Sequence, residues 1–157
     1  MDLLTVYGAA RRDEEVARLR RVLALRALVA AGMSQRLIGE AVGITQPAVS
    51  QQLKHATGLG GVHPELLVEA AGPVLRAVAA DHKYARLAVF GAVARGEAQQ
   101  GSVIDLVVEP PIGSGSTDFG RFQERLERIL DRKIQLVDYG GLTPEAADEV
   151  RRDAVPL

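Results

Sequence analysis

The chain contains no cysteine. That excludes disulfides and any site built on thiolate ligands, and it makes a reducing cytoplasm the natural compartment. There is no apolar run of the roughly 18 residues that a membrane span requires. The nearest, VLALRALVAA at 22–31, is interrupted by Arg26, so no membrane association is expected. The opening MDLLTVYGAARRDEE has its charges in the wrong order for a secretory leader. Net charge is nearly absent too, at −1, but that sum hides an asymmetry. Residues 1–60 hold eight basic and five acidic side chains, and residues 61–157 hold eleven and fifteen, so the two parts carry +3 and −4. A basic first part and an acidic second part point to different partners. What is present is 47% apolar and 25% charged over 157 residues, the composition of a soluble globular protein of one ordinary domain or two small ones.

The pattern divides near residue 60. Residues 13–31 predict a helix, with Val16, Leu19, Leu23 and Ala27 on one stripe and acids at its start. A short helix is expected from Ser34, a capping residue, to Val42, where Gly43 breaks it. Thr45 then caps a third, with Pro47 tolerated in its first turn, running to about Ala56. TGLGGVHP at 57–64 reads as a joint. Two helical segments follow, separated by Gly72-Pro73. From residue 85 short runs rich in β-branched residues appear at ARLAVF, VIDLVVE and KIQLVDY. Helices are expected between them at about 92–99 and 118–131, and a last one at about 144–152, capped by Thr143. The fold class is therefore α+β: an all-α domain at 1–60, then a small α/β domain with a short mixed sheet at 61–157.

SQRLIGEAVGITQPAVSQQLKHA at 34–56 is two short helices joined by a tight turn. Gly39 lets them cross closely, and Gly43 supplies a left-handed turn. Ile38, Val42, Ile44, Val49 and Leu53 are spaced to bury between these helices and the first. The outer face of the third helix carries Thr45, Gln46, Pro47, Ser50, Gln51 and Lys54, with no acid among them. Gln can offer adenine a donor and an acceptor, Ser can contact several bases, and Lys54 can reach a phosphate. The alternative is a plain helical hairpin with a polar outer face. The stretch resembles the helix-turn-helix of bacterial and phage repressors. That resemblance implies binding to double-stranded DNA as a homodimer, because one recognition helix reads too few base pairs for a specific site.

FGAVARGEAQQGSVIDLVVE at 90–109 joins a strand to a helix start at Gly91-Ala92 and then to a second strand bearing Asp105. Backbone N–H groups at such a start can hold a phosphate, and Arg95 sits one turn along. Strand alternation puts Val103 on the same face as Asp105, so Ala92, Val103 and Asp105 are expected to face one partly apolar cleft. The arrangement resembles the minimal nucleotidyltransferase domain of the polymerase-β-like superfamily, over about residues 65–155. GAVARG matches that family's first motif with Ala92 where a phosphate-binding Ser stands. SVIDL matches the second with Val103 in place of an Asp, and KIQLV the third with Gln135 in place of the last acid. Gly91, Arg95, Gly96, Ser102 and Asp105 keep the pattern.

The family's chemistry holds two Mg²⁺ ions between shared carboxylates and transfers a nucleotide, commonly from ATP. With Asp105 the one carboxylate left of three, no metal site, no cofactor and no catalytic residue are expected, and Asp105 is a remnant. Gly91, Ala92, Arg95 and Ser102 keep the means to hold a nucleotide without chemistry. Small members of this family stand as antitoxins beside HEPN-type toxins, which implies a toxin partner protein. The expectation is a cytoplasmic DNA-binding transcription regulator with an inactive nucleotidyltransferase-like domain. Its rivals are an active Mg²⁺- and ATP-using enzyme targeted by its DNA-binding part, and a nucleotide-sensing repressor.

Overall fold

The computed structural model describes residues 1–157, apart from the side chains of Ala56 and Thr57. It contains α1 (Leu3–Ala30), α2 (Gln35–Val42) and α3 (Gln46–His55), then a 3₁₀ turn (Ala56–Gly61). α4 (Pro64–Asp81), β1 (Ala85–Phe90), α5 (Gly91–Arg95) and β2 (Ile104–Glu109) follow. The chain continues with α6 (Ser116–Leu130), β3 (Ile134–Asp138), α7 (Pro144–Asp153) and β4 (Val155–Pro156). Among the described residues no helix is long and apolar enough to cross a membrane.

α1 begins ten residues earlier than the apolar stripe indicates, because Asp2 caps it by accepting from the Thr5 amide at 2.8 Å. Gly72-Pro73 does not divide α4 either. Pro73 has no N–H to give to the Glu69 carbonyl, and Arg20 of α1 fills the gap. Its guanidinium donates to the carbonyls of Glu69 and Ala70, each at 3.0 Å. A tertiary contact thus supports a helix that runs unbroken through Pro73, where local rules would end it. α5 stops at Gly96 in the left-handed conformation, short of residue 99. β4 is two residues long, too short to show alternation in the sequence.

The sheet order is β3-β2-β1-β4, with β2 parallel to β3 and the other pairs antiparallel. Pro156 lies on the edge strand, where its missing donor costs nothing. Ile104, Leu106 and Val108 point from β2 into the main core, against Leu67 and Leu75 of α4 and Phe122, Leu126 and Ile129 of α6. Val16, Leu19 and Leu23 of α1 belong to that same core, so apolar packing passes across the boundary expected at residue 60. Val107 faces the other way, under Val150 of α7. A third, small cluster joins Leu25 of α1 to Ile38 and Val49, with Leu28, Met33 and Leu53 around it. Val42 and Ile44, expected in that cluster, are 50% and 36% exposed. The α2–α3 pair buries a single stripe, and these two residues flank the turn at its rim.

His63, which lies in the joint before α4, has a structural task. Its Nδ1 accepts from the Glu65 amide at 3.2 Å and its Nε2 meets the Ala98 carbonyl at 3.1 Å. The first contact caps α4 and the second ties it to the segment after α5.

Candidate functional site

Two places gather the residues singled out by the sequence. The first is the outer face of α3. Gly43, at φ 80°, closes α2 in the left-handed conformation, and its N–H bonds the Gly39 carbonyl. A Cβ on Gly39 would stand 2.7 Å from the Ile44 carbonyl oxygen, so only glycine allows this crossing. Ser34 caps α2 at the Leu37 amide and Thr45 caps α3 at the Ala48 amide, both at 3.2 Å. Gln46, Pro47, Gln51 and Lys54 are exposed on one side of α3, Ser50 is half-buried beside them, and Val49 is buried on the other side. Gln46 donates to Gln35 Oε1 at 2.7 Å, which anchors its amide at the entrance of α2.

The second place lies at the junction of β1, α5 and β2. Gly91 is buried with φ 71°. A Cβ there would be 2.5 Å from Asp105 Oδ2 and 3.3 Å from Glu149 Oε1. The Asp105 carboxylate therefore lies directly against the Gly91 turn, as the motif spacing implies. Gly91→Ala forces a side chain into that carboxylate and into a backbone region that L-residues avoid. It is expected to destabilise the fold by about 1–3 kcal/mol, read as a lower urea midpoint at unchanged slope.

Asp105 pairs with Phe90 on one side and with Gln135 on the other. Gln135, which stands where the resemblance places the third acid, is thus the direct cross-strand neighbour of Asp105, and it is exposed. Val103, 55% exposed, precedes β2 by one residue.

Glu149, on α7, carries no signal in the sequence that would single it out among the acids there. Only the packing of α7 over β2 brings its carboxylate to Gly91 and Asp105. Burial pushes the Asp105 carboxyl above the ordinary carboxylate range, and the Glu149 carboxylate adds to the push. Arg95 opposes it. A carboxyl raised in the fold holds its proton longer there than in the unfolded chain. Stability from this group is therefore lost as pH rises from the unfolded value through the folded one. Asp105→Asn, which cannot ionise, is expected to raise the melting temperature at pH 7 and to give no such gain near pH 3. An equal shift at both pH values would show that charge is not the cause.

Arg95, expected to face a phosphate, is held by acids. It bonds Glu97 at 3.0 Å and Asp153 at 2.7 Å, and lies 3.5 Å from Glu149. Hydrogen bonds to Glu97 and Asp153 raise its pKa. Ser102 is used locally, its hydroxyl accepting from the Gln99 amide at 2.8 Å. Of the four residues expected around a nucleotide, Gly91 and Ala92 form the turn, whereas Arg95 and Ser102 are engaged within the chain. Among the described residues no group of three or more His, Cys, Asp or Glu is placed to hold a metal ion.

Comparison with known proteins bears on this second place. Residues 74–155 match the family model described as the nucleotidyltransferase domain, which leaves α1–α3 outside it. A curated protein of Methanocaldococcus jannaschii, described as a candidate protein adenylyltransferase, is 31% identical over 76 residues. That match covers 48% of this chain and 82% of the relative. A solved structure, described as that of a candidate minimal nucleotidyltransferase, superposes with a TM-score of 0.54 at 34% identity. It covers 59% of this chain and 95% of that one.

Proposed function

The chain belongs to the nucleotidyltransferase domain family, and from that premise we propose that this member is a sequence-specific DNA-binding regulator whose nucleotidyltransferase fold no longer performs transfer. The observation that carries the DNA-binding part is the outer face of α3. It offers two glutamines and a lysine on one side of a helix set off by a glycine turn, which is the layout of a helix-turn-helix reading head. A purely structural hairpin has no need of an acid-free polar face. Electrophoretic mobility shifts with α3 variants test this part.

The loss of chemistry follows from the donor set. Two Mg²⁺ ions need carboxylates that bridge them and anchor each. The positions to which the motif resemblance assigns those acids hold Asp105, Val103 and Gln135. Val103 has no donor atom, and an amide oxygen lacks the charge that makes a good Mg²⁺ ligand. Glu149 is a second carboxylate nearby, but it lies against Arg95. This set does not fit a two-metal site.

A second reading keeps the enzyme. It rests on Glu149 standing beside Asp105 and on a relative described as a candidate protein adenylyltransferase. A transfer assay separates the two readings. The antitoxin role implied by the resemblance would give the C-terminal part a toxin as protein partner. Co-expression with the product of the neighbouring gene, followed by co-purification, is the check.

A further inference from the structure

The first turns of α1, residues 3–11, are exposed on every side, and Leu3, Tyr7 and Val6 there are 85%, 67% and 48% exposed. Further along, an open groove of about 440 Å³ runs between α1 and α4. Its lining is apolar and includes Ala24, Ala27, Leu28, Ala31, Val74 and Val78. One chain thus carries an uncovered apolar arm and an uncovered apolar groove. We propose that each covers the other in a two-fold dimer, with two copies of α1 lying antiparallel about Ala17.

The sequence of α1 is self-complementary in that register. Leu3, Ala10, Ala17, Ala24 and Ala31 recur every seven residues and form a seam of small side chains, along which two helices approach closely. Ala17 meets Ala17 of the second copy, Ala10 meets Ala24, and Leu3 meets Ala31. Val6 meets Leu28 as well, and because Ala24, Leu28 and Ala31 line the groove, these pairs seat the arm of one copy against the groove of the other. The charged middle also matches, since Glu14 and Arg21 of the second copy lie on the same side of the seam, about 60° and about 40° around the helix from Ala17 at 100° per residue. Sliding the pair by one turn would bring like charges together.

The arrangement also orders the rest of the molecule. Leu25, which packs on α2 and α3, lies about 80° around the helix from Ala17, at 100° per residue. The two-fold axis is perpendicular to the plane of the helix pair, so both α2–α3 units fall on one side of it. They join α1 at Leu25 and Leu28. Those points lie roughly 24–33 Å apart along the pair, at 1.5 Å per residue, against about 34 Å between half-sites one DNA turn apart. This last match rests on the DNA-binding reading, whereas the dimer does not.

Sedimentation equilibrium of the full chain without DNA is the test. The parent chain is expected to be a dimer at micromolar concentration. Ala17→Glu, at an exposed position, places two carboxylates on the two-fold axis and is expected to raise the dissociation constant at least about tenfold. Glu14→Arg and Arg21→Glu should each weaken the dimer, and the two together should restore it. Such rescue is expected of facing charges and not of damage to the fold, which circular dichroism monitors separately. Because the chain has no cysteine, Ala17→Cys should form a disulfide-linked dimer on mild oxidation. A monomeric parent chain overturns the proposal, as does a dimer indifferent to Ala17→Glu and to the charge exchange. The latter would place the contact on another surface or leave the groove to a different partner.

Discussion

Replacing Gln46 and Gln51 by alanine is expected to abolish specific DNA binding and to leave non-specific binding nearly intact. A bidentate glutamine–adenine contact contributes about 1–3 kcal/mol of discrimination, and a dimer makes each contact twice. One substitution should therefore cost roughly 2–6 kcal/mol, or about 30-fold to more than 10⁴-fold in affinity for the selected site. Lys54→Ala should behave differently. A phosphate contact carries no base information, so every sequence weakens alike and the dependence on salt becomes shallower. Titrations on the selected site and on random duplex, from low to physiological salt, distinguish the two patterns. Equal binding by all three variants and the parent would remove α3 as the reading head and leave a helical hairpin with a polar face.

No nucleotidyl transfer is expected from the parent chain with labelled nucleoside triphosphates and Mg²⁺ or Mn²⁺, alone or with a neighbouring gene product. The reason is the missing charge at Val103 and Gln135, beside a lone Asp105 whose own ionisation is resisted by burial and by Glu149. The same cause predicts the effect of restoring the acids. Val103→Asp with Gln135→Asp places three carboxylates just before β2, on β2 and on β3, and this variant is expected to gain a Mn²⁺-dependent rise in melting temperature that the parent lacks. A ligand at 100 times its dissociation constant stabilises by about 2.7 kcal/mol, which a thermal scan resolves readily. Transfer by the parent chain that disappears in Asp105→Ala would mean that Glu149 completes a working site after all.

Local chemistry carried much of the α2–α3 unit and of the strand cores. A capping serine, a left-handed glycine and a crossing glycine are read from residue type alone, and each acts within a few positions of itself. The pairing of Gln135 with Asp105 across β2 and β3 was not read from the sequence, because alternation tells which face a residue takes and not which residue stands opposite it. What the sequence hid depends on partners remote in the chain. Pro73 reads as a helix break until Arg20 supplies the donors it lacks. Glu149 is one acid among several on α7 until packing over β2 sets it against Asp105. Arg95 shows in the sequence as a positive charge one turn into α5, and its bond to Asp153 of α7 depends on packing. The early start of α1 escaped because exposed apolar residues around Leu3 and Tyr7 follow no single inward stripe, and an inward stripe is the signal that periodicity detects.

Selection of binding sites from a randomised duplex library by the full chain, at physiological salt, tests the central claim most directly. The expected outcome is enrichment of one two-fold symmetric sequence, with half-sites about one helical turn apart, that Gln46→Ala and Gln51→Ala no longer retain. A library that emerges without enrichment, or with a site the α3 variants keep, would contradict it.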